Sequence, residues 1–119
     1  MIDVTLRGFI ASDVQSTPES HSQEATASFM MGSTGRAFDP ATGSPLNEPT
    51  QWFTVRMTGK LATNATASLR KGDRILAFGP FHHRQWGSNG RIRSELTLEA
   101  VSVGHDLTWE RSSAADTTS

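Results

Sequence analysis

Three tryptophans stand in this chain of 119 residues, and two of them have arginines at strand spacing. In the run Gln51-Trp52-Phe53-Thr54-Val55-Arg56-Met57-Thr58, an extended backbone sends successive side chains to opposite faces. Phe53, Val55 and Met57 make an apolar face, which leaves Trp52, Thr54, Arg56 and Thr58 on the outer one. An outward indole with a guanidinium on the same face is a platform for a flat ring beside a contact for a phosphate. Trp86 stands beside Arg84, just before the turn sequence Gly87-Ser88-Asn89-Gly90, with Arg91 and Arg93 on the returning arm. That arrangement is a basic finger carrying an aromatic. Phe38, between Arg36 and Asp39, is a third aromatic candidate. The competing readings bury Trp52 under the 35–50 stretch or in a subunit interface, make Trp86 an oligomer contact, and let Phe38 plug the fold. Trp109 is assigned to packing, where it pins the C-terminal segment.

No comparable grouping builds a catalytic or metal site. His82 and His83 are adjacent, so on a strand they face opposite ways and cannot hold one ion together. His21 and His105 have no ligand spacing, and the absence of cysteine removes thiolate ligands and disulfides. Gly32-Ser33-Thr34-Gly35 lacks the lysine of a phosphate loop. Glu95 and Glu99 lie ~13 Å apart along a strand at ~3.3 Å per residue, wider than the ~5–9.5 Å of paired glycosidase carboxylates. Asn64-Ala65-Thr66 matches a glycosylation sequon but falls within a helical pattern. No enzyme activity, cofactor or metal is expected.

The net charge of −1 conceals a pattern. Residues 52–93 carry Arg56, Lys60, Arg70, Lys71, Arg74, Arg84, Arg91 and Arg93 against Asp73 alone. The segments on either side are acidic. A polyanion responds to the local field rather than to the total. Hydrophobic residues make up 35% of the chain, enough for one domain with a modest core. No run of about 20 apolar residues is present and the N-terminus has no secretory pattern, so a cytoplasmic protein is expected.

The elements that must position these residues follow from hydrophobic period. Residues 2–10 alternate through Ile2, Val4 and Leu6 as a strand ending near Gly8. Residues 11–23 are polar and read as loop. Ala25, Ala27, Phe29 and Met31 give a second strand over 24–34, and 51–59 is the third. Residues 35–50, rich in Gly and Pro, predict a long mobile loop. Leu61, Ala65 and Leu69 predict a helix over 60–71, with Arg70 and Lys71 in its last turn and Gly72 as its cap. Residues 73–86 form a strand with a bulge or kink at Gly79-Pro80. Residues 91–103 form the last, with a bulge or change of partner where the alternation slips at Val101 and Val103. Ser112–Ser119 is small, polar and disordered in expectation. Three strands, one helix and two strands is the order of an all-β, five-stranded OB-fold barrel with the helix between strands 3 and 4. Other small barrels or an α+β sandwich share the pattern. The domain is expected over 1–110, with a short tail at 111–119.

The chain resembles the bacterial single-stranded DNA-binding protein family, actinobacterial members in particular. The resemblance rests on Trp52-Phe-Thr-Val-Arg-Met-Thr-Gly-Lys60-Leu-Ala62, Ser68-Leu-Arg-Lys-Gly72, Gly79-Pro-Phe-His-His-Arg84-Gln-Trp86 and Glu95. Val4-Thr-Leu-Arg-Gly8, Arg36-Ala-Phe38-Asp39 and Val103-Gly-His-Asp-Leu107-Thr-Trp109 extend it over roughly residues 3–110. It implies an OB barrel, a homotetramer and binding of single-stranded DNA with little sequence preference. It places Trp52 and Trp86 on stacking tryptophans, Phe38 on a stacking aromatic, and Lys60, Lys71 and Arg84 on basic positions of the DNA path. Arg56, Arg74, Arg91 and Arg93 join from the charge pattern alone. Thr58 replaces a stacking Phe, Phe9 an Asn and Val14 a Pro, and loop 15–24 is unlike the family. The chain closes on Ala114–Ser119 without the family's acidic, Pro-Phe-ended tip, so recruitment of replication and repair enzymes is not expected. A dimeric primosome-type module, or another OB protein contacting RNA or protein, is the rival. A small hydrolase built from Asp, Ser and His would need a site that no motif assembles.

Overall fold

A computed structural model describes residues 2–34, 37–38, 41–42, 45–46 and 50–108. Five strands close a ring in the order β1 (Ile2–Ile10), β3 (Thr26–Thr34), β6 (Thr50–Thr58), β8 (Arg91–Glu99), β7 (Arg74–Ser88) and back to β1. Every pairing in the ring is antiparallel except β6 with β8, which run parallel from Thr54↔Thr97 to Arg56↔Glu99. The helix α1 (Gly59–Ser68) lies in sequence between the third and fourth barrel strands. This is the expected OB barrel. Short strands decorate it: β2 (Gln15–Thr17) pairs with β3, β4 (Ala37–Phe38) with β5 (Pro45–Leu46), and β9 (Ser102–His105) with β7. The 35–50 stretch therefore contains a small ladder among its described residues.

The period-two residues fill the barrel. Ala25, Ala27, Phe29, Met31, Phe53, Val55 and Met57 are all buried, as are Ile10, Ile75, Ala77 and Leu98. β1 does not stop near Gly8. Its backbone continues to Ile10 because Phe9 and Ile10 find partners in Gly32 and Met31 of β3. The helix buries Ala62 and Ala65, whose small side chains let it lie close on the barrel. It ends at Ser68, earlier than expected. Leu69 turns extended and drops into the core while its N–H still reaches the carbonyl of Ala65. Arg70 and Lys71 therefore fall outside the last turn, and Gly72 is not the helix cap. Gly72 takes φ 97° in a separate turn, where the Asp73 N–H donates to Arg70 and the Gly72 N–H to Ile10.

β7 keeps one register through Gly79-Pro80, so the expected bulge is absent there. Glycine at 79 serves close approach instead: a Cβ would lie 2.2 Å from the Glu99 carbonyl oxygen. The extra residue sits on the returning chain. Between Phe81↔Leu98 and Phe78↔Ser102, β7 spends two residues and its partner three. The Ala100 N–H still donates to Arg56, whereas the Val101 N–H donates to Phe78, so the chain changes partner at the slip read at Val101. Beyond Phe81↔Leu98, β7 and β8 pair as a ribbon out to Asn89-Gly90. Both turn residues have positive φ, 55° and 76°, the type I′ geometry that suits a two-residue hairpin.

One buried carboxylate ties the end of β9 to β1. Arg7 Nε donates to Asp106 Oδ2 at 2.7 Å, and the Thr108 N–H donates to Oδ1 at 3.0 Å. The Arg7 bond first, and the Thr108 bonds next, lower the Asp106 pKa from 3.8 to about 2. A depressed carboxylate contributes its stability above the unfolded value and loses it as pH falls through the folded one. The melting temperature is thus expected to drop more steeply from pH 4 to pH 2 in the wild type than in Asp106→Asn, followed by circular dichroism. Equal slopes would remove this carboxylate from the acid transition.

Candidate nucleic-acid interface

Strand register assembles one row of outer-face residues across four strands. Arg74 of β7 pairs with Phe9 of β1, Phe9 with Gly32 of β3, and Gly32 with Trp52 of β6. Trp52 is 50% exposed. The Phe9 and Trp52 rings meet edge-to-face, with centroids 6.1 Å apart and planes at 83°. Gly32 lies beneath both: a Cβ there would sit 2.5 Å from Phe9 Cζ and 3.0 Å from Trp52 Cζ3. The Arg74 guanidinium carbon is 5.5 Å from the Phe9 ring centroid. Lys71 is exposed in the turn just before Arg74.

The same outer face runs from β6 into the ribbon. Arg56 lies on it, exposed, with Nε 3.8 Å from Glu99 Oε1. An exposed pair at that distance contributes about 0–1 kcal/mol and leaves the guanidinium open to another anion. Thr54 pairs with Thr97, and Thr97 with His82. From His82 the alternation carries Arg84, Trp86 and Ser88 on one arm, opposite Glu95, Arg93 and Arg91 on the other. All three finger arginines and Trp86 therefore share a face. It is the face of the sheet that carries Trp52 and Arg56. The Arg84 guanidinium carbon stands 5.5 Å from the Trp86 ring centroid, and Trp86 remains 46% exposed. Trp86, Gly87, Ser88, Asn89, Arg91 and Arg93 line a shallow concavity at the tip.

Lys60 does not join this face. It is exposed in the first turn of α1, on a groove it shares with Glu19, His21 and Glu24. Phe38 lies in β4, with its side chain outside the described residues, as are Trp109 and the 111–119 tail. Phe9 is the site residue that the sequence reading missed. The signal was present: Val4, Leu6 and Ile10 face inward, so an aromatic at position 9 must face outward. Among the described residues, no three His, Asp or Glu side chains gather as a metal site. No helix among them is long and apolar enough to cross a membrane.

A closed barrel of this strand order, with an aromatic and cationic outer face, defines an OB-fold domain, a class built around oligonucleotide and oligosaccharide recognition. The sequence pattern of the single-strand binding protein family matches residues 1–106, and the chain belongs to that family. It is 34% identical over 109 residues to single-stranded DNA-binding protein 2 of Tropheryma whipplei strain Twist, covering 92% of this chain and 71% of the relative. It is also 34% identical over 79 residues to single-stranded DNA-binding protein 1 of Streptomyces coelicolor, covering 66% of this chain and 51% of that one. Among solved structures, the small single-stranded DNA-binding protein of Streptomyces coelicolor superposes with a TM-score of 0.78 at 28% identity, covering 91% of this chain and 96% of the other. The second single-stranded DNA-binding protein of Mycobacterium smegmatis shares the fold, with a TM-score of 0.69 at 22% identity and coverage of 92% and 93%.

Proposed function

We propose that this protein binds and coats single-stranded DNA without strong sequence preference, and serves replication, recombination or repair. The observation that carries the reading is the common face of Trp52, Arg56, Arg84, Trp86, Arg91 and Arg93. Bases stack on the two indoles, which accept any base because every base has a π face. The arginines take up phosphates and release counterions. Arg74 and Lys71 continue the path beyond Trp52, and Phe38 adds a further ring. Lys60 contributes least, since Glu19 and Glu24 share its groove. No bond is made or broken, and the nucleoid of the cytoplasm is where such a protein works. Family membership and the relatives named as single-stranded DNA-binding proteins support the ligand.

The working assembly in this reading is a homotetramer, and two surfaces support it. β1 pairs with β7 from Ile2 to Phe9 but with β3 only at Phe9 and Ile10. The other edge of residues 2–7 thus has no strand partner among the described residues, and an open edge invites pairing. Leu76 and Phe78, each 40% exposed, lie with Thr5, Ser102 and Gly104 on a sheet face whose nearest charge, Arg7 opposite Leu76, is paired with Asp106. Edge pairing and face packing, each isologous, close a tetramer with D2 symmetry. Phe78→Asp is expected to lower the solution mass to that of a dimer, measured by light scattering. A full-size assembly in that variant would exclude this face.

Titration of oligo-dT followed by tryptophan emission, with mass measured on the same sample, tests the reading as a whole. Quenching at saturation with four chains per particle is expected. A particle of two chains favours the dimeric primosome-type alternative, and the absence of quenching removes the stacking assignment.

A further inference from the structure

The geometry points to Phe9 as a second wall of the base seat at Trp52, so that one nucleobase is held in a corner of two aromatic rings; this rests on the single-stranded DNA reading. The two rings stand nearly perpendicular, 83° between planes, with their centroids 6.1 Å apart. A base lying flat on the indole is then perpendicular to Phe9 and meets it edge to face, the arrangement aromatic quadrupoles favour. The floor of the corner is the backbone of Gly32. A side chain there would run into both rings, at 2.5 Å from Phe9 and 3.0 Å from Trp52. The corner exists because residue 32 is glycine.

Phe9 has no role in the core. Its neighbours Val4, Leu6 and Ile10 face inward, and Phe9 sits on the outer row with a partly exposed ring. Arg74, 5.5 Å from the ring centroid, sets a positive charge at the rim of the corner. A phosphate next to the seated base can reach it. Indole, phenyl ring and guanidinium therefore come from three strands that the barrel holds in fixed register.

The test uses the full chain with Phe9→Ala, Phe9→Leu and Phe9→Tyr. Binding of a labelled dT oligonucleotide is measured by anisotropy, and folding by thermal melting. Phe9→Ala and Phe9→Leu are each expected to weaken binding by roughly tenfold, the scale of one aromatic–base contact, while Phe9→Tyr keeps wild-type affinity. Leucine preserves apolar bulk and removes the ring. Wild-type affinity in Phe9→Leu, whatever alanine does, would overturn the assignment, because bulk alone would then be holding Trp52. So would a tyrosine variant as weak as leucine. A wild-type chain that fails to bind dT removes the underlying function, a result distinct from either.

Discussion

Replacing both Trp52 and Trp86 by alanine is expected to lower affinity for oligo-dT by about 2–6 kcal/mol, with about 1–3 kcal/mol from each single variant. The two losses should add, because the indoles have different neighbours: Phe9 meets Trp52, and Arg84 lies over Trp86. Neither ring belongs to the core, since both are about half exposed. The variants should therefore fold, with stability within about 0.5 kcal/mol of the wild type at Trp86 and a somewhat larger loss at Trp52, where the contact with Phe9 goes. Anisotropy of a labelled oligonucleotide reads the affinity without relying on the deleted fluorophores. Unchanged binding in the double variant would show that the bases lie elsewhere.

The second large effect lies in salt dependence. Arg84, Arg91 and Arg93 sit together on one face of the ribbon. If each neutralises one phosphate, changing all three to glutamine should flatten the plot of log affinity against log salt by about 2, at about 0.7 per contact for a single strand. The affinity gap between variant and wild type should be widest at low salt and shrink as salt rises. Lys60→Gln should change the slope much less, since Glu19 and Glu24 line the same groove. A triple variant with the wild-type slope would move the phosphate path off the ribbon.

The barrel was legible because its strands alternate without ambiguity. Phe29, Val55 and Met57 announced their inward face, and Asn89-Gly90 announced the hairpin. What stayed hidden has a common physical cause. β2 pairs through its backbone alone, its three side chains all exposed, so no hydrophobic period marks it. The helix boundary was misread because Leu69 fits the helical period while being buried from an extended backbone. Gly79 looked like a bulge in its own strand, yet it answers the backbone of Glu99 on another. The site divides in the same way. Trp52, Arg56 and the finger could be placed by parity within a strand. The meeting of Phe9, Gly32, Trp52 and Arg74 depends on register among four strands, which a linear reading does not carry.

The parallel contact between β6 and β8 is short, three residue pairs from Thr54↔Thr97 to Arg56↔Glu99, and it joins segments far apart in the chain. Val55, wholly buried, lies opposite Leu98 in that contact. During synthesis the first three barrel strands emerge with their apolar sides uncovered, and the seam waits for residues 97–99 to leave the ribosome. Such distant pairings pay their loop-closure entropy before any reward. The barrel therefore cannot close until residues 97–99 are present, and a chain that stops short of them leaves Val55 without its neighbour Leu98 across the seam.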